Sequence, residues 1–204
     1  MFLFDNNKIT SDFLGKFNVY NLSSALACLK ILKLEINNYQ NLINKLKPID
    51  GRFNCIVIKN KLFIIDYAHT PDGLENVLKL CLNIKNSGKL FCIFGCGGNR
   101  ETQKRSKMGE IASKYTDFVI ITADNSRFEL TTLIMNEIAK GIKNKNYLCI
   151  EDRSDAIKYA YKNSKAGDII LVAGKGFETY MDIKGIKIPY SDLDEIKKLE
   201  QIND

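Results

Sequence analysis

The sequence is poor in the residues that common metal and nucleophilic sites require. It contains one histidine, His69, and none of its 6 cysteines belongs to a CxxC pair. A structural zinc site needs several Cys and His ligands at short spacings, so such a site is poorly supplied. The cysteines are better explained as buried free thiols in a reducing compartment. We therefore predict no metal ligands and no catalytic nucleophile in this chain.

Signals for export and for membrane insertion are also lacking. The first residues, MFLFDNNKIT, do not combine a basic region with a sustained apolar one, so we expect no secretory leader. No apolar run is long enough to span a bilayer. The sequence thus predicts a cytoplasmic protein, or one of an organelle interior, without a membrane partner.

The charge is positive but is not concentrated in any one segment. The formal net charge is +6, and the lysines are spread along the chain without a basic block, which is typical of solvated faces. A nucleic-acid-binding protein would show strongly salt-dependent binding, and no aromatic-basic platform supports that alternative. We expect no nucleic-acid partner.

The pattern of apolar residues changes near residue 50. Before it, two helices are predicted over 18–34 and 38–46, and Pro48 and Gly51 then interrupt the pattern. After it, strands alternate with helices, which predicts βαβ units in a mainly parallel sheet flanked by helices. The predicted strands are 53–58, 62–66, 90–94, 117–122, 147–150, 168–173, 181–183 and 186–188, and the predicted helices are 71–84, 102–115, 130–140, 154–163 (with Ser154 as N-cap) and 192 onward.

Four predicted strands are followed by loops rich in glycine and charged residues, at 66–72, 95–100, 124–129 and 174–178. In a parallel sheet these loops share the carboxyl-terminal edge, where open α/β sheets bind ligands. Their mixed charges suit a small zwitterion. Arg100 and Arg127 would face carboxylates, while Asp124 and Glu178 would face ammonium groups.

Each of these residues also has a purely structural alternative. His69 could be a turn histidine bonded to nearby backbone, and Asp124 and Asn125 could cap the next helix. Gly174 could be a turn glycine, and Lys175 could be solvated. Taken singly these alternatives are favoured; the combination on one predicted edge favours a binding site.

A series of motifs then resembles the C-terminal part of the Mur ligases, ATP-dependent enzymes of bacterial cell-wall synthesis. Among these enzymes it is most similar to those that add diaminopimelate. The motifs are GKFNVYN with ALA (15–27), GRF (51–53), DYAHTPD (66–72), FGCGGNR with KR and MG (94–109), DNSRFE (124–129), VAGKGFE (172–178) and YSD (190–192). The resemblance implies a Rossmann-like C-terminal domain at 51–204, preceded at 1–50 by a helical remnant of the central ATP-binding domain.

The resemblance also implies roles for individual residues. The pocket for meso-diaminopimelate would comprise Arg100, Asp124, Asn125, Ser126, Arg127, Gly174 and Glu178. Arg127 would pair with the carboxylate that diaminopimelate has and lysine lacks, although a lysine-adding ligase stays an alternative. Nucleotide contacts would come from Asn21, Arg52, Asp66 and His69.

Two departures from the family pattern affect this pocket. Ser126 stands where the family usually has proline, which loosens the loop but keeps Arg127. Phe177 stands where the family usually has histidine, so an imidazole is lost next to Glu178 and a hydrogen bond in the pocket wall is in doubt.

No GxxxxGK[ST] phosphate loop occurs in the sequence, and Gly174-Lys175-Gly176 lacks the required spacing. The resemblance implies that this loop, the ligands of Mg²⁺ and the site for the UDP-sugar dipeptide lie in segments N-terminal to this chain. ATP and Mg²⁺ would then be the cofactors, and a separate N-terminal ligase chain is a possible partner. A diamino-acid-binding module without catalysis and a degenerate remnant are the alternatives.

Overall fold

A computed structural model describes residues 1–34, 38–47, 49–143 and 146–201. They form two compact units, Met1–Ile49 and Asp50–Asp204. Pro48, which marked the predicted change of pattern, lies outside the described residues. Within the described ranges, no helix is long and apolar enough to cross a bilayer.

The first unit combines a β-hairpin with two helices. Strands β1 (Phe2–Phe4) and β2 (Asn7–Ile9) pair antiparallel, and the two residues between them have positive φ angles, as a type I′ turn requires. Helix α1 spans Lys16–Ile31 and α2 spans Tyr39–Asn44, close to the predicted helices. This hairpin is not predicted from the sequence, because three-residue strands are too short to show an alternating pattern. The core consists of Ile9, Leu22, Leu26 and Ile43.

The second unit is built on a six-stranded sheet. Its strands are β3 (Asn54–Ile58), β4 (Lys61–Asp66), β5 (Leu90–Phe94), β6 (Phe118–Ile121), β7 (Tyr147–Cys149) and β8 (Ile169–Ala173). The order is β3-β4-β8-β5-β6-β7, and all neighbours are parallel except β3, which pairs antiparallel with β4. The predicted α/β class with a mainly parallel sheet is confirmed.

Helices cover both faces of this sheet. They are α3 (Pro71–Ile84), α4 (Gln103–Tyr115), α5 (Thr131–Ala139), α6 (Arg153–Asn163) and α7 (Asp192–Lys198), and a separate hairpin is formed by β9 (Tyr180–Ile183) and β10 (Ile186–Pro189). Helices α6 and α7 share one core with inward residues of β4, β5, β6 and β8. Helices α3, α4 and α5 pack side by side against the other face, because successive strand residues point to opposite sides.

Local capping signals determine where two of these helices begin. Thr70 Oγ1 accepts a hydrogen bond from Gly73 N (3.1 Å), and Pro71 follows it at the first helical position. The prediction of Ser154 as the cap of α6 is wrong. Asp152 caps that helix by accepting from Asp155 N (2.9 Å), and Ser154 already lies in the first turn.

A buried ion pair joins α6, α7 and the sheet. Arg153 forms a two-pronged pair with Asp192, at 2.7 Å from Nε to Oδ1 and 2.9 Å from Nη2 to Oδ2, and both side chains are fully buried. Arg153 also donates to the carbonyl oxygens of Ala173 (2.9 Å) and Ala123 (3.3 Å). Burial alone would lower the pKa of Arg153, but the adjacent carboxylate raises it above its usual range.

Neutralising Asp192 should therefore destabilise the second unit strongly. The variant D192N leaves the Arg153 guanidinium buried without its counter-charge, which costs about 3–5 kcal/mol of unfolding free energy. Urea unfolding followed by circular dichroism measures this loss. D155N is the matched control, because Asp155 forms an exposed pair with Lys158 (3.2 Å) and its neutralisation should shift the midpoint much less. Equal unfolding midpoints for D192N and D155N would show that the Arg153–Asp192 pair does not stabilise the second unit.

Candidate functional site

Four loops meet at the carboxyl-terminal edge of the parallel strands. They follow β4, β5, β6 and β8, as the sequence predicted, and they surround a cavity of about 690 Å³. The residues lining it are Tyr67, His69, Thr70, Pro71, Gly95, Cys96, Gly97, Arg100, Glu101, Lys104, Asp124, Asn125, Arg127 and Glu178. The fold thus brings together five of the seven residues predicted for the amino-acid pocket, namely Arg100, Asp124, Asn125, Arg127 and Glu178.

Two guanidinium groups line the cavity. Arg127 has a left-handed φ of 51°, and its Nη1 donates to Gly98 O (2.8 Å). Its Nε lies 3.9 Å from Asp182 Oδ2, whereas its Nη2 has no partner among the residues described here. Arg100 is exposed and makes no hydrogen bond or ion pair within the described ranges. Both therefore keep donors that a carboxylate could use.

The Glu178 carboxylate is held by two neighbours. Its Oε2 accepts from Lys175 Nζ (2.9 Å) and from Asn125 Nδ2 (2.8 Å). Asn125 Oδ1 in turn accepts from Lys175 Nζ (3.1 Å) and from Asp182 N (2.9 Å). The Asn125 amide is thus engaged within the protein, while Glu178 Oε1 has no partner among the described residues.

Lys175 was missed as part of this site. The alternative that treated it as solvated is wrong, since its side chain is 0% exposed and ends between Asn125 and Glu178. The sequence signal for its burial was weak, because the glycines on either side suggest an open turn. Only the packing of the β8 loop against the β6 loop shows that this ammonium group lies inside.

Asp124 and Gly174 are adjacent across the site. Asp124 Oδ1 accepts from the N–H of the next residue (2.5 Å). Gly174 has φ of 110°, and a Cβ placed on it would lie 2.8 Å from Asp124 Oδ2. Gly174 does not line the cavity itself, and it provides the space that the Asp124 carboxylate occupies.

Neither Asp124 nor Asn125 caps helix α5, which begins after Leu130 with no side-chain cap. The capping alternative for these two residues is therefore wrong. Ser126 is buried and is absent from the cavity lining; its carbonyl oxygen accepts from Glu129 N (3.0 Å). Its side chain makes no hydrogen bond in the part of the chain described, so Ser126 contributes to the loop through its backbone.

The residues predicted to contact a nucleotide fall into two groups. Arg52, Asp66 and His69 belong to the second unit and surround Tyr67. Asn21 belongs to the first unit, on α1, where its Nδ2 lies 3.5 Å from Asn18 Oδ1.

Asp66 connects the segment before β3 to the loop after β4. Its Oδ2 accepts from Phe53 N (2.8 Å) and its Oδ1 from Ala68 N (2.8 Å). Burial raises the pKa of Asp66, and the two backbone donors partly offset that rise. Both oxygens of this carboxylate are bound to backbone, so Asp66 fixes the positions of the two segments.

Arg52 and His69 lie close to the Tyr67 ring. The Arg52 guanidinium is exposed and sits 5.0 Å from the ring centroid, within the range of a cation–π contact. His69 Nδ1 lies 2.9 Å from Tyr67 O, which is the contact with nearby backbone expected of a turn histidine. The His69 ring also lines the cavity.

Phe177, which departs from the family pattern, packs on Tyr67 with ring centroids 5.3 Å apart and is not part of the cavity lining. Phe177 offers no side-chain hydrogen bond, and Glu178 next to it accepts hydrogen bonds from Lys175 and Asn125.

Cys96 is the cysteine that lines the cavity. Burial raises its pKa to about 12, so its sulfur stays a protonated thiol near neutral pH. The sulfur lies 3.7 Å from Met108 Sδ. It therefore acts as an apolar wall of the cavity and not as a nucleophile.

The sequence and the fold are both similar to those of known proteins. The family model described as "Mur ligase, glutamate ligase domain" matches residues 51–176. The chain belongs to the Mur ligase family. This assignment agrees with the sheet observed in the second unit.

Individual Mur ligases are similar over nearly the whole chain. The UDP-N-acetylmuramoyl-L-alanyl-D-glutamate–2,6-diaminopimelate ligase of Neisseria meningitidis is 42% identical over 92% of the chain and 38% of its own length. The enzyme of the same name from Aquifex aeolicus is 41% identical over 94% of the chain and 40% of its length. A solved structure with that name superposes with a TM-score of 0.72 and 35% identity, covering 95% of this chain and 40% of the other. The chain thus spans about two fifths of the relatives that it matches.

Alanine at Gly174 should perturb the loop beside the cavity. In G174A both the left-handed φ and the 2.8 Å approach to Asp124 are unfavourable, so we expect a loss of about 1–3 kcal/mol of unfolding free energy and a displaced Asp124 side chain. Urea unfolding measures the first effect and a crystal structure of the variant the second.

G167A is the matched control for G174A. Gly167 also has a left-handed φ, 87°, but nothing lies within 4 Å of a Cβ built there. It should show the backbone strain alone and a smaller loss. If G174A were no less stable than G167A and left Asp124 in place, the close approach would have no structural role.

Proposed function

We propose that this chain supplies the amino-acid pocket of an ATP-dependent ligase that joins meso-diaminopimelate to UDP-N-acetylmuramoyl-L-alanyl-D-glutamate. The observation that carries the proposal is the cavity at the sheet edge, whose lining includes the guanidinium groups of Arg100 and Arg127 and the carboxylates of Asp124 and Glu178. Relatives whose names state this reaction are 40–44% identical to the chain over more than nine tenths of its length.

The charges of the cavity are complementary to a diamino dicarboxylic acid. In the proposed pose, Arg100 and Arg127 receive the two carboxylates, because each guanidinium retains free donors. Glu178 Oε1 and Asp124 receive the ammonium groups. Lysine has one carboxylate fewer, so it would leave one guanidinium without a partner. A ligand that leaves a polar group of the site unpaired binds more weakly than one that pairs with it.

The proposed reaction needs more than this chain provides. In the family chemistry a carboxylate attacks the γ-phosphate of ATP and releases ADP, and the amine of the incoming amino acid then displaces phosphate from the acyl phosphate. Catalysis of phosphoryl transfer depends on a phosphate cradle and on metal ions. The sequence contains no such loop, and the described residues include no group of three or more His, Cys, Asp or Glu that could hold a metal ion.

We infer that this chain contributes the amine side of the reaction and part of the nucleotide contact. Arg52 offers an exposed guanidinium to a phosphate, and His69 offers a ring at the rim of the cavity. Asn21 is the proposed contact to adenine from the first unit. ATP, Mg²⁺ and the UDP-sugar dipeptide would be bound mainly by segments corresponding to the part of the relatives that this chain does not match.

Binding of the free amino acid tests the pocket. Isothermal titration of the chain with meso-diaminopimelate should show binding, and binding of L-lysine should be weaker. R127A should weaken diaminopimelate binding by about tenfold or more, since a hydrogen bond to a charged group is worth about 1.5–3 kcal/mol. It should change lysine binding little.

K162A is the control for this titration, because it removes one positive charge from an exposed position on helix α6. No heat with either amino acid would refute the proposed pocket. Equal affinity for both would favour a lysine-adding enzyme over a diaminopimelate-adding one.

Reconstitution tests catalysis. We expect phosphate and a UDP-tripeptide when the chain is mixed with a segment carrying the phosphate loop of a similar ligase, UDP-N-acetylmuramoyl-L-alanyl-D-glutamate, ATP, Mg²⁺ and meso-diaminopimelate. Mass spectrometry of the nucleotide product detects the tripeptide. Diaminopimelate binding without product would indicate a binding module, and neither binding nor product would indicate a degenerate remnant.

A further inference from the structure

A buried arginine outside the predicted site connects two of the pocket loops. Arg105 lies on α4 with its side chain 1% exposed. Its guanidinium contacts Glu129 Oε2 (2.8 Å) and Oε1 (3.0 Å), Glu137 Oε2 (2.8 Å) and the carbonyl oxygen of Gly97 (3.3 Å). Gly97 belongs to the loop after β5, and Glu129 belongs to the loop after β6.

Glu129 extends this connection from the other side. Its Oε1 also accepts the backbone N–H of Asn99, and Asn99 Oδ1 accepts from Phe128 N (3.1 Å). Asn99 has a left-handed φ of 51°, a conformation that is unfavourable for most residues without support from neighbours. Arg105 holds the pKa of Glu129 below its usual range, with help from the Asn99 N–H, so the carboxylate is ionised near neutral pH.

The residues held by these bonds are next to the two pocket arginines. Arg100 directly follows Asn99, and Arg127 lies two positions before Glu129. Arg127 Nη1 also donates to Gly98 O, and Gly98 N donates to Asn125 O (2.9 Å). The two loops therefore have little freedom to move apart while Glu129 bridges Arg105 and Asn99.

We propose that Arg105 and Glu129 are positioning residues that hold the Arg100 loop in register with the Arg127 loop, and thereby set the spacing at which two carboxylates of one amino acid are recognised. This inference rests on the proposed function for the identity of the amino acid. The bridge itself involves only residues of the second unit. Neither residue lines the cavity, so both would act through the arginines.

Glu137 distinguishes positioning from a purely structural ion pair. Like Glu129 it pairs with Arg105 Nη1 at 2.8 Å, and its side chain is 41% exposed against 30% for Glu129. Only Glu129 also accepts the Asn99 N–H. E129A and E137A thus each remove one carboxylate partner of the same arginine, but only E129A also removes the acceptor of the Asn99 N–H.

The experiment compares these two variants of the full chain by two measurements. Hydrogen exchange followed by NMR reports the protection of the Asn99 amide without any ligand. We expect Asn99 to exchange about tenfold faster or more in E129A than in the unaltered chain, and to be unchanged in E137A. Titration with meso-diaminopimelate should show binding weakened by about tenfold in E129A and by less than about twofold in E137A.

Several outcomes would overturn the inference. It fails if Asn99 is equally protected in both variants, or if both variants lose diaminopimelate affinity to the same extent. If the unaltered chain itself does not bind diaminopimelate, the proposed function fails, and Asn99 exchange decides separately whether Glu129 orders the loop. Urea unfolding of both variants shows whether they lose stability equally, as removal of one partner of the same arginine predicts.

Discussion

The buried pair between Arg153 and Asp192 is the interaction on which the edge of the sheet depends. Arg153 binds the carbonyl oxygens of Ala123 and Ala173, which are the last positions before Asp124 and Gly174. The same guanidinium is neutralised by a carboxylate at the start of α7. One charged group thus connects the C-terminal helix to the ends of two strands from which the cavity loops depart.

Above this pair, the site is built mainly from backbone conformations and buried polar contacts. Gly174 and Arg127 both have left-handed φ angles, and each turns its loop so that a carboxylate or a guanidinium faces the cavity. Lys175 and Asn125 both donate hydrogen bonds to Glu178 Oε2. Such a network loses little flexibility when a ligand binds, because its polar groups already have defined partners.

Much of the fold was predictable because the local signals were strong. Helix α3 is predicted to the residue, since Pro71 is typical of a first helical turn. Strand β5 is an uninterrupted apolar run and is also found where predicted. Local signals failed where they were short or ambiguous, as in the three-residue strands of the first unit and at Ser154, which lost the capping position to Asp152.

The sequence by itself determined the α/β class of the second unit, the four loops that follow its parallel strands, and the family. These follow from periodicity and from residue types at fixed spacings, which are properties of neighbouring residues. The tertiary structure decided which loop faces which. Because only β5 separates β8 from β6 in the sheet, the loop that holds Lys175 reaches Asn125 in the loop after β6. Arg105 on α4 meets Glu129, which is 24 positions away in the sequence. Burial and pairing across such separations arise only when the strands are ordered in space, so they could not be seen along the chain.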